Sequence, residues 1–181
     1  GGVAMHLDGA RLWNAHVATG VELAAYGELF DTVSVCLSKG LGAPVGSVLV
    51  GSAAAMAEAR VWRKRYGAGM RQVGILAAAG RYAVAHNISR LDDDHARARR
   101  FAEAVAEIAP GLVDLRDVET NIVMLDVTGL GRPAGEVVAA FAGEGVRCYA
   151  MSPTKVRLVW HLDVDDAGTD LAIAAARAVL A

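Results

Sequence analysis

Short apolar runs alternate with longer helical patterns along the first half of this chain. Compact β-rich runs at residues 32–37 and 47–51 are typical of buried strands, and an apolar run at residues 3–7 ends at Asp8. Segments 11–26 and 53–66 have helical character. The pattern therefore predicts alternating strands and helices, as in an α/β sheet.

A long helical stretch is predicted from about Arg71 to Ile108, and the pattern changes after it. Inside this stretch three aspartates precede the arginines, as the helix dipole favours. Strands are then predicted at residues 121–127, 146–150 and 155–164, and helices at 133–145 and 165–180. We predict part of an α/β sheet in residues 1–85 and a small α+β domain in residues 86–181.

Composition narrows the classes of function. Of the 181 residues, 54% are hydrophobic, which is typical of a globular chain. The net charge is −2, so no overall positive potential attracts nucleic acid or an anionic membrane. The longest uncharged window, residues 40–57, is interrupted by Pro44 and predicts no membrane span. Two cysteines, Cys36 and Cys148, lie in apolar runs and indicate thiols in a reducing, cytoplasmic compartment. No Cys/His spacing predicts a metal site.

A basic and aromatic segment forms the end of the second predicted helix of the first half and continues just beyond it. The simplest interpretation of this segment is a helix end that faces solvent. Nucleic-acid binding is the alternative, and the net charge of the chain argues against it. The segment contains Arg60, Trp62, Arg63, Lys64, Arg65, Tyr66 and Arg71.

Lys39 is the only charge between Asp31 and Glu58, and it stands between an apolar run and a string of glycines. A phosphate-binding Walker loop is excluded because the lysine precedes the glycines. A dinucleotide fingerprint is excluded because the glycine spacing is one residue too long. Two interpretations remain: a strand-end lysine that reaches solvent, or an amine among small residues beside a flat ligand. Partial desolvation would favour the neutral amine that Schiff-base chemistry requires.

Asp8 ends an apolar run, and Gly9 permits a sharp turn after it. Ligands of open α/β sheets bind beyond the carboxyl ends of the strands, so Asp8 and Lys39 are expected to face one crevice. A buried carboxylate there needs a partner. The partner is either Arg11, in a structural ion pair, or the protonated ring nitrogen of a cofactor.

Four motifs carry a resemblance to a known family. "HLDGARLWNA", "SVCLSKGLGAPVGS", "GAGMRQVG" and "VRLVWHLDV" occur in this order, and Lys39 lies 31 residues after Asp8. Together they resemble the L-threonine aldolases that depend on pyridoxal 5'-phosphate (PLP), lyases with the aspartate-aminotransferase-like fold, fold type I. The resemblance implies the C-terminal part of the PLP-binding large domain, followed by the small domain.

The resemblance also implies roles for individual residues. Lys39 would be the catalytic lysine that binds PLP covalently, with Ser38 beside it at the cofactor. Asp8 would bind the pyridine nitrogen, and Arg11 would lie near the ring and the substrate carboxylate. Arg157 would bind that carboxylate by a bidentate pair; without the resemblance it reads as a surface strand arginine. Arg71 is assigned to the cofactor phosphate or to a site between subunits.

The implied activity is the cleavage of L-threonine, L-allo-threonine and related β-hydroxy amino acids to glycine and an aldehyde. Two alternatives stay open: another PLP enzyme of fold type I, namely a β-eliminating lyase or aminotransferase, or a non-catalytic oligomerisation module. The family's chains are roughly twice this length, so we expect a missing N-terminal half and exposed apolar strands. We also expect a homo-oligomer, dimer or tetramer, and a small amino-acid substrate rather than nucleic acid or membrane.

Overall fold

The computed structural model describes residues 2–181, which form two compact units. The first unit ends at Leu91, and the second comprises Asp92–Ala181. The boundary predicted near residue 85 falls in the last turn of a helix that ends at His86, whereas the units divide a little further along the chain.

The first unit contains a three-stranded sheet in the order β1-β2-β3. Strands β1 and β2 are parallel, and β2 and β3 are antiparallel. Val33 and Val35 of β2 are buried against Leu12, which anchors the helices on this face of the sheet. The elements are β1 (His6–Gly9), α1 (Leu12–Thr19), α2 (Leu23–Gly27), β2 (Thr32–Cys36), β3 (Ser47–Gly51), α3 (Ala53–Arg65) and α4 (Gly74–His86).

Two predicted helices are interrupted. The helical pattern of residues 11–26 breaks at Gly20, which has a left-handed φ of 70° that glycine adopts without a Cβ penalty. The stretch predicted from Arg71 to Ile108 breaks at residues 87–90, after the C-cap Asn87 of α4. A run of aspartates then begins the next helix, α5 (Leu91–Ile108), where they favour the positive end of the helix dipole.

The edge strand β3 is exposed along its whole length. Val48, Leu49 and Val50 are each at least 40% exposed, which is unusual for three consecutive apolar residues in a sheet. The expected exposure of apolar strands is thus confirmed in the first unit.

The second unit consists of an antiparallel sheet and helices packed on one of its faces. The sheet has three strands in the order β4-β6-β5, and its core includes Val123, Leu125, Val156 and Leu158. The elements, besides α5, are β4 (Ile122–Asp126), α6 (Ala134–Gly143), β5 (Tyr149–Ser152), β6 (Lys155–Val159) and α7 (Asp166–Leu180). The α+β character predicted for this half is confirmed.

We expect acid to weaken the second unit through Asp126. This carboxylate accepts hydrogen bonds from the hydroxyl of Thr128 at 2.6 Å and from the ammonium of Lys155 at 2.9 Å. These contacts, with that of the Thr128 hydroxyl the largest, hold the pKa of Asp126 well below its ordinary value of 3.8. A carboxyl with a lowered folded-state pKa stabilises the fold above its unfolded pKa, and this contribution is lost as the pH falls below about 4.

The measurement is the thermal midpoint of Asp126→Asn between pH 6 and pH 2. The variant should be less stable than the parent at pH 6, and the difference should shrink as the pH falls. Glu119→Gln, at an exposed carboxylate without an ion pair among the described residues, is the control and should track the parent. A constant difference for Asp126→Asn across this range would contradict the assignment.

Candidate active site

Asp8 lies near the carboxyl end of β1, and Lys39 follows the carboxyl end of the neighbouring parallel strand β2. Asp8 lies in β1 opposite Ser34 of β2, and Lys39 comes three residues after β2 ends at Cys36. Because parallel strands end at the same edge of a sheet, both side chains belong to that edge. The parallel pairing of β1 and β2 therefore places the two motifs at the same edge of the sheet.

A tight loop carries Lys39 between β2 and β3. The amide of Gly42 donates to the Lys39 carbonyl at 2.8 Å, and the amide of Ala43 donates to the Leu37 carbonyl at 3.0 Å. Leu41 is only 1% exposed, whereas Lys39 itself is exposed. The loop is thus anchored by its apolar residues and presents the lysine at its surface.

The exposure of Lys39 differs from the partial desolvation expected from the sequence. The glycines and the alanine beside it are too small to cover a long side chain, and its larger neighbours Leu37 and Leu41 turn into a hydrophobic cluster. In the described part of the chain, residues 2–181, the amine of Lys39 is therefore accessible to solvent.

The ion pair with Arg11, one of the two partners considered for Asp8, is not formed among the described residues. Asp8 is exposed and accepts a hydrogen bond from the amide of Ala10 at 3.1 Å, which shapes the turn into α1. Arg11 is the N-cap residue of α1 and is half-buried, and its carbonyl accepts from the amide of Asn14. The Asp8 carboxylate thus remains available to a ligand, and burial does not force it to pair.

Ser38 and Arg71 are both exposed side chains in the first unit. Ser38 immediately precedes Lys39 in the same loop. Arg71 lies in the connection between α3 and α4, next to Gln72, which has a left-handed φ of 47°. Neither side chain makes a hydrogen bond or ion pair with another residue in the described part of the chain.

Arg157 lies in the second unit, on the face of β6 opposite the core. Its strand neighbours Val156 and Leu158 are buried, and Met124 of β4 and Tyr149 of β5 are its cross-strand partners. The Nε atom of Arg157 is shielded from solvent and has no hydrogen-bond partner among the described residues. An arginine held in this way has its terminal nitrogens to offer a carboxylate.

Sequence reasoning missed the residues that hold the Lys39 loop. Asn87 and Arg90, in the connection between α4 and α5, donate to carbonyls of the loop, and the indole of Trp13 donates to the Cys36 carbonyl at 2.9 Å. The prediction of one helix through residues 87–90 concealed this connection. The aspartates that follow Leu91 were the available signal, since acidic residues favour the first turn of a helix.

Gly40 is expected to tolerate no side chain. A Cβ at this position would lie 2.7 Å from Cδ2 of Leu91, and Leu91 is fully buried. Overpacking of this kind costs about 1–3 kcal/mol, so Gly40→Ala should lower the thermal midpoint by several degrees. Gly135→Ala, in α6 with nothing within 4 Å of the added Cβ, is the matched control and should not lower it. Equal midpoints for the two variants would show that the loop can move away from Leu91 without a loss of stability.

The described residues contain neither a membrane-crossing helix nor a cluster of metal-binding side chains. No helix is both long and apolar enough to span a bilayer, and no group of three or more His, Cys, Asp or Glu residues is placed to hold a metal ion.

Comparison with known proteins defines the fold class and the family. The structure matches that of a threonine aldolase from Leishmania major with a TM-score of 0.78 at 18% identity, over 99% of this chain and 53% of that one. This likeness defines an α/β fold of type I, as predicted. Residues 1–129 match the family model described as beta-eliminating lyase. The chain belongs to this family.

Two sequence relatives are named low-specificity L-threonine aldolases. The protein from Escherichia coli strain K12 is 45% identical over 166 residues, which cover 90% of this chain and 46% of that protein. A second, from Arabidopsis thaliana, is 40% identical over 161 residues, which cover 88% of this chain and 45% of that protein. The chain therefore spans about half the length of the relatives that it matches.

Proposed function

We propose that this chain is the C-terminal half of a PLP-dependent lyase. The whole enzyme would cleave L-threonine, L-allo-threonine and related β-hydroxy amino acids into glycine and an aldehyde. One observation carries the proposal: an exposed lysine and an available carboxylate lie at the carboxyl ends of the neighbouring parallel strands β2 and β1. The names of the relatives support the choice of substrate.

The exposed side chains of the first unit suit PLP. Lys39 is a primary amine with open access, as an aldehyde carbon requires. One carboxylate oxygen of Asp8 accepts a hydrogen bond from the amide of Ala10, and the second oxygen is available to a protonated ring nitrogen. Arg71 is an exposed cation without a partner among the described residues, and it suits a phosphate.

Each residue would have one task in the reaction. When bound, PLP supplies an electron sink for the pair released by the cleaved Cα–Cβ bond. Lys39 would carry the cofactor and then move a proton at Cα, while Asp8 would keep the ring nitrogen protonated. Arg157 and Arg11 would hold the substrate carboxylate. Their grip would orient the scissile bond, and orientation selects which bond at Cα is cleaved.

The whole protein is proposed to extend beyond this chain. The relatives are about twice as long, so we propose that an N-terminal half completes the site and that these 181 residues alone are inactive. Exposed apolar residues along β3 support a covering polypeptide at that edge. We further propose a cytoplasmic homo-oligomer, in which the thiols of Cys36 and Cys148 stay unpaired.

The test is reduction with borohydride in the presence of PLP, followed by peptide mapping of the full-length protein. We expect a pyridoxyl label on Lys39 and not on the exposed residues Lys64 and Lys155, which serve as internal controls. Label spread evenly over the three lysines, or absent from Lys39, would refute the assignment.

Product analysis separates the proposed reaction from its main competitor. The matching family model bears the name of β-eliminating lyases, which release ammonia and a keto acid. With L-threonine, we expect glycine and acetaldehyde in equal amounts. Ammonia with a keto acid would favour elimination, and an absence of turnover would favour a non-catalytic oligomerisation module.

A further inference from the structure

A small hydrophobic cluster lies beneath the Lys39 loop. Leu41 and Ala43 of the loop are buried together with Ala83 of α4 and Leu91, the first residue of α5. Ile88, in the connection between the two helices, packs against the same cluster. The loop and the connection of residues 87–90 are therefore packed together.

Two polar side chains of this connection hold the backbone immediately after the lysine. The amide nitrogen of Asn87 donates to the Leu41 carbonyl at 2.8 Å, and Nη1 of Arg90 donates to the Gly40 carbonyl at 3.3 Å. These are the carbonyls of the two residues that follow Lys39. The amide of Gly42 donates to the Lys39 carbonyl as well, so three successive carbonyls from Lys39 to Leu41 are held, and with them the backbone from which the lysine side chain projects.

The absence of a Cβ at Gly40 allows the loop to approach the connection closely. The position of a Cβ there would overlap Leu91, so the backbone of the loop lies directly against that side chain. Hydrogen bonds and packing thus act on the same two residues, Gly40 and Leu41. An anchored backbone fixes the direction in which Cβ of Lys39 leaves the loop, although solvent surrounds the rest of the side chain.

We infer that Asn87 and Arg90 are positioning residues for Lys39. Neither belongs to the residues proposed to touch cofactor or substrate; both act through the carbonyls of the Lys39 loop. This inference rests on the proposed role of Lys39. Its physical basis is preorganisation, since a reacting group held in its productive direction loses less entropy when it forms a bond.

The decisive variant is Asn87→Asp in the full-length protein. Aspartate has nearly the same shape as asparagine, but its carboxylate oxygens cannot donate to the Leu41 carbonyl. Arg90→Ala removes the second bond, and Arg90→Lys restores a donor at that position. Ser89→Ala is the matched control, because Ser89 is exposed in the same connection and makes no hydrogen bond with another described residue.

The first readout is the PLP concentration that half-saturates borohydride-trapped label on Lys39. Loss of one hydrogen bond to a half-buried carbonyl is expected to raise this concentration about tenfold in Asn87→Asp and in Arg90→Ala. Arg90→Lys should recover part of the loss, and Ser89→Ala should match the parent. At saturating PLP, KM for threonine should change less than kcat, because Arg157 and not Lys39 is proposed to bind the carboxylate.

The second readout needs no cofactor. Hydrogen exchange of the amides of residues 38–43 should accelerate in Asn87→Asp, while β2 and α4 keep the protection of the parent. Faster exchange throughout the first unit would mean general unfolding and would overturn the positioning role.

The outcomes separate this inference from the proposed function. Lys39 labelled in the parent with unchanged half-saturation in Asn87→Asp and Arg90→Ala would overturn the inference and leave the function standing. No label on Lys39 in the parent would refute the function and the inference together. A rise confined to the two variants, with partial recovery in Arg90→Lys, would support both.

Discussion

Full-length protein with Lys39→Ala is expected to lose cleavage of L-threonine by at least about 10³-fold, because one amine would carry the cofactor and also move a proton. Lys39→Arg should be equally inactive. Its guanidinium keeps the positive charge but stays protonated and cannot act as a nucleophile. The loss therefore tests the amine chemistry of Lys39 rather than its charge. The measurement is kcat by acetaldehyde release, at a PLP concentration that saturates the parent.

The surroundings of Lys39 indicate that its substitution should affect the reaction and not the fold. Lys39 is exposed and makes no ion pair with another described residue, so its removal should leave the thermal midpoint of the cofactor-free protein unchanged. Lys64→Ala, at another exposed lysine of the same unit, should retain the activity of the parent. Activity of Lys39→Ala within tenfold of the parent would show that another residue carries the reaction.

Local sequence was sufficient to predict the strands and the place of the motifs. Runs rich in β-branched residues predicted β2, β3 and β4, because such residues suit a pleated, half-buried surface. Asp8 and Lys39 could be assigned to one edge because both follow predicted strands of an α/β sheet. This inference needed no knowledge of distant contacts.

Long-range contacts could not be predicted. Asn87 and Arg90 lie 46 and 50 residues from the carbonyls that they hold, and a single sequence has no signal for such a pairing. The exposure of Lys39 depends likewise on how much of the sheet these residues build, which the sequence around the lysine does not encode. The connection between α4 and α5 is only four residues long and the helical pattern resumes directly after it, so the break before α5 was missed.

The two-residue alternation of β6, which the sequence predicts, extends to Trp160, one residue past the end of the strand. Trp160, three positions after Arg157, is 2% exposed in the core of the second unit, while Arg157 lies on the opposite face of the sheet. The period of two residues follows from strand geometry. The residues that contact Trp160 come from three other segments of the chain, and the sequence alone could not identify them.

Trp160→Ala is expected to cause the largest loss of stability among single substitutions in the second unit. The indole packs against Phe101 with the ring centroids 5.0 Å apart, and its Nε1 donates to the hydroxyl of Thr169 at 3.0 Å. Its backbone exchanges two hydrogen bonds with Asn121, one to the main-chain carbonyl and one from the side-chain amide. Truncation leaves a large cavity and removes the donor to Thr169, at a cost of about 3–5 kcal/mol.

Native-state hydrogen exchange of the amides of β4 and β6 measures this effect. A loss of about 3 kcal/mol corresponds to faster exchange by about 100-fold or more. Trp62→Ala is the matched control: the indole of Trp62 is 43% exposed on α3, where it stacks on Tyr66, so exchange in β4 and β6 should not change. Trp160→Phe should fall between the two, since it keeps most of the ring but not the donor. Exchange in Trp160→Ala no faster than in Trp62→Ala would show that α5, α7 and the sheet hold together without the indole.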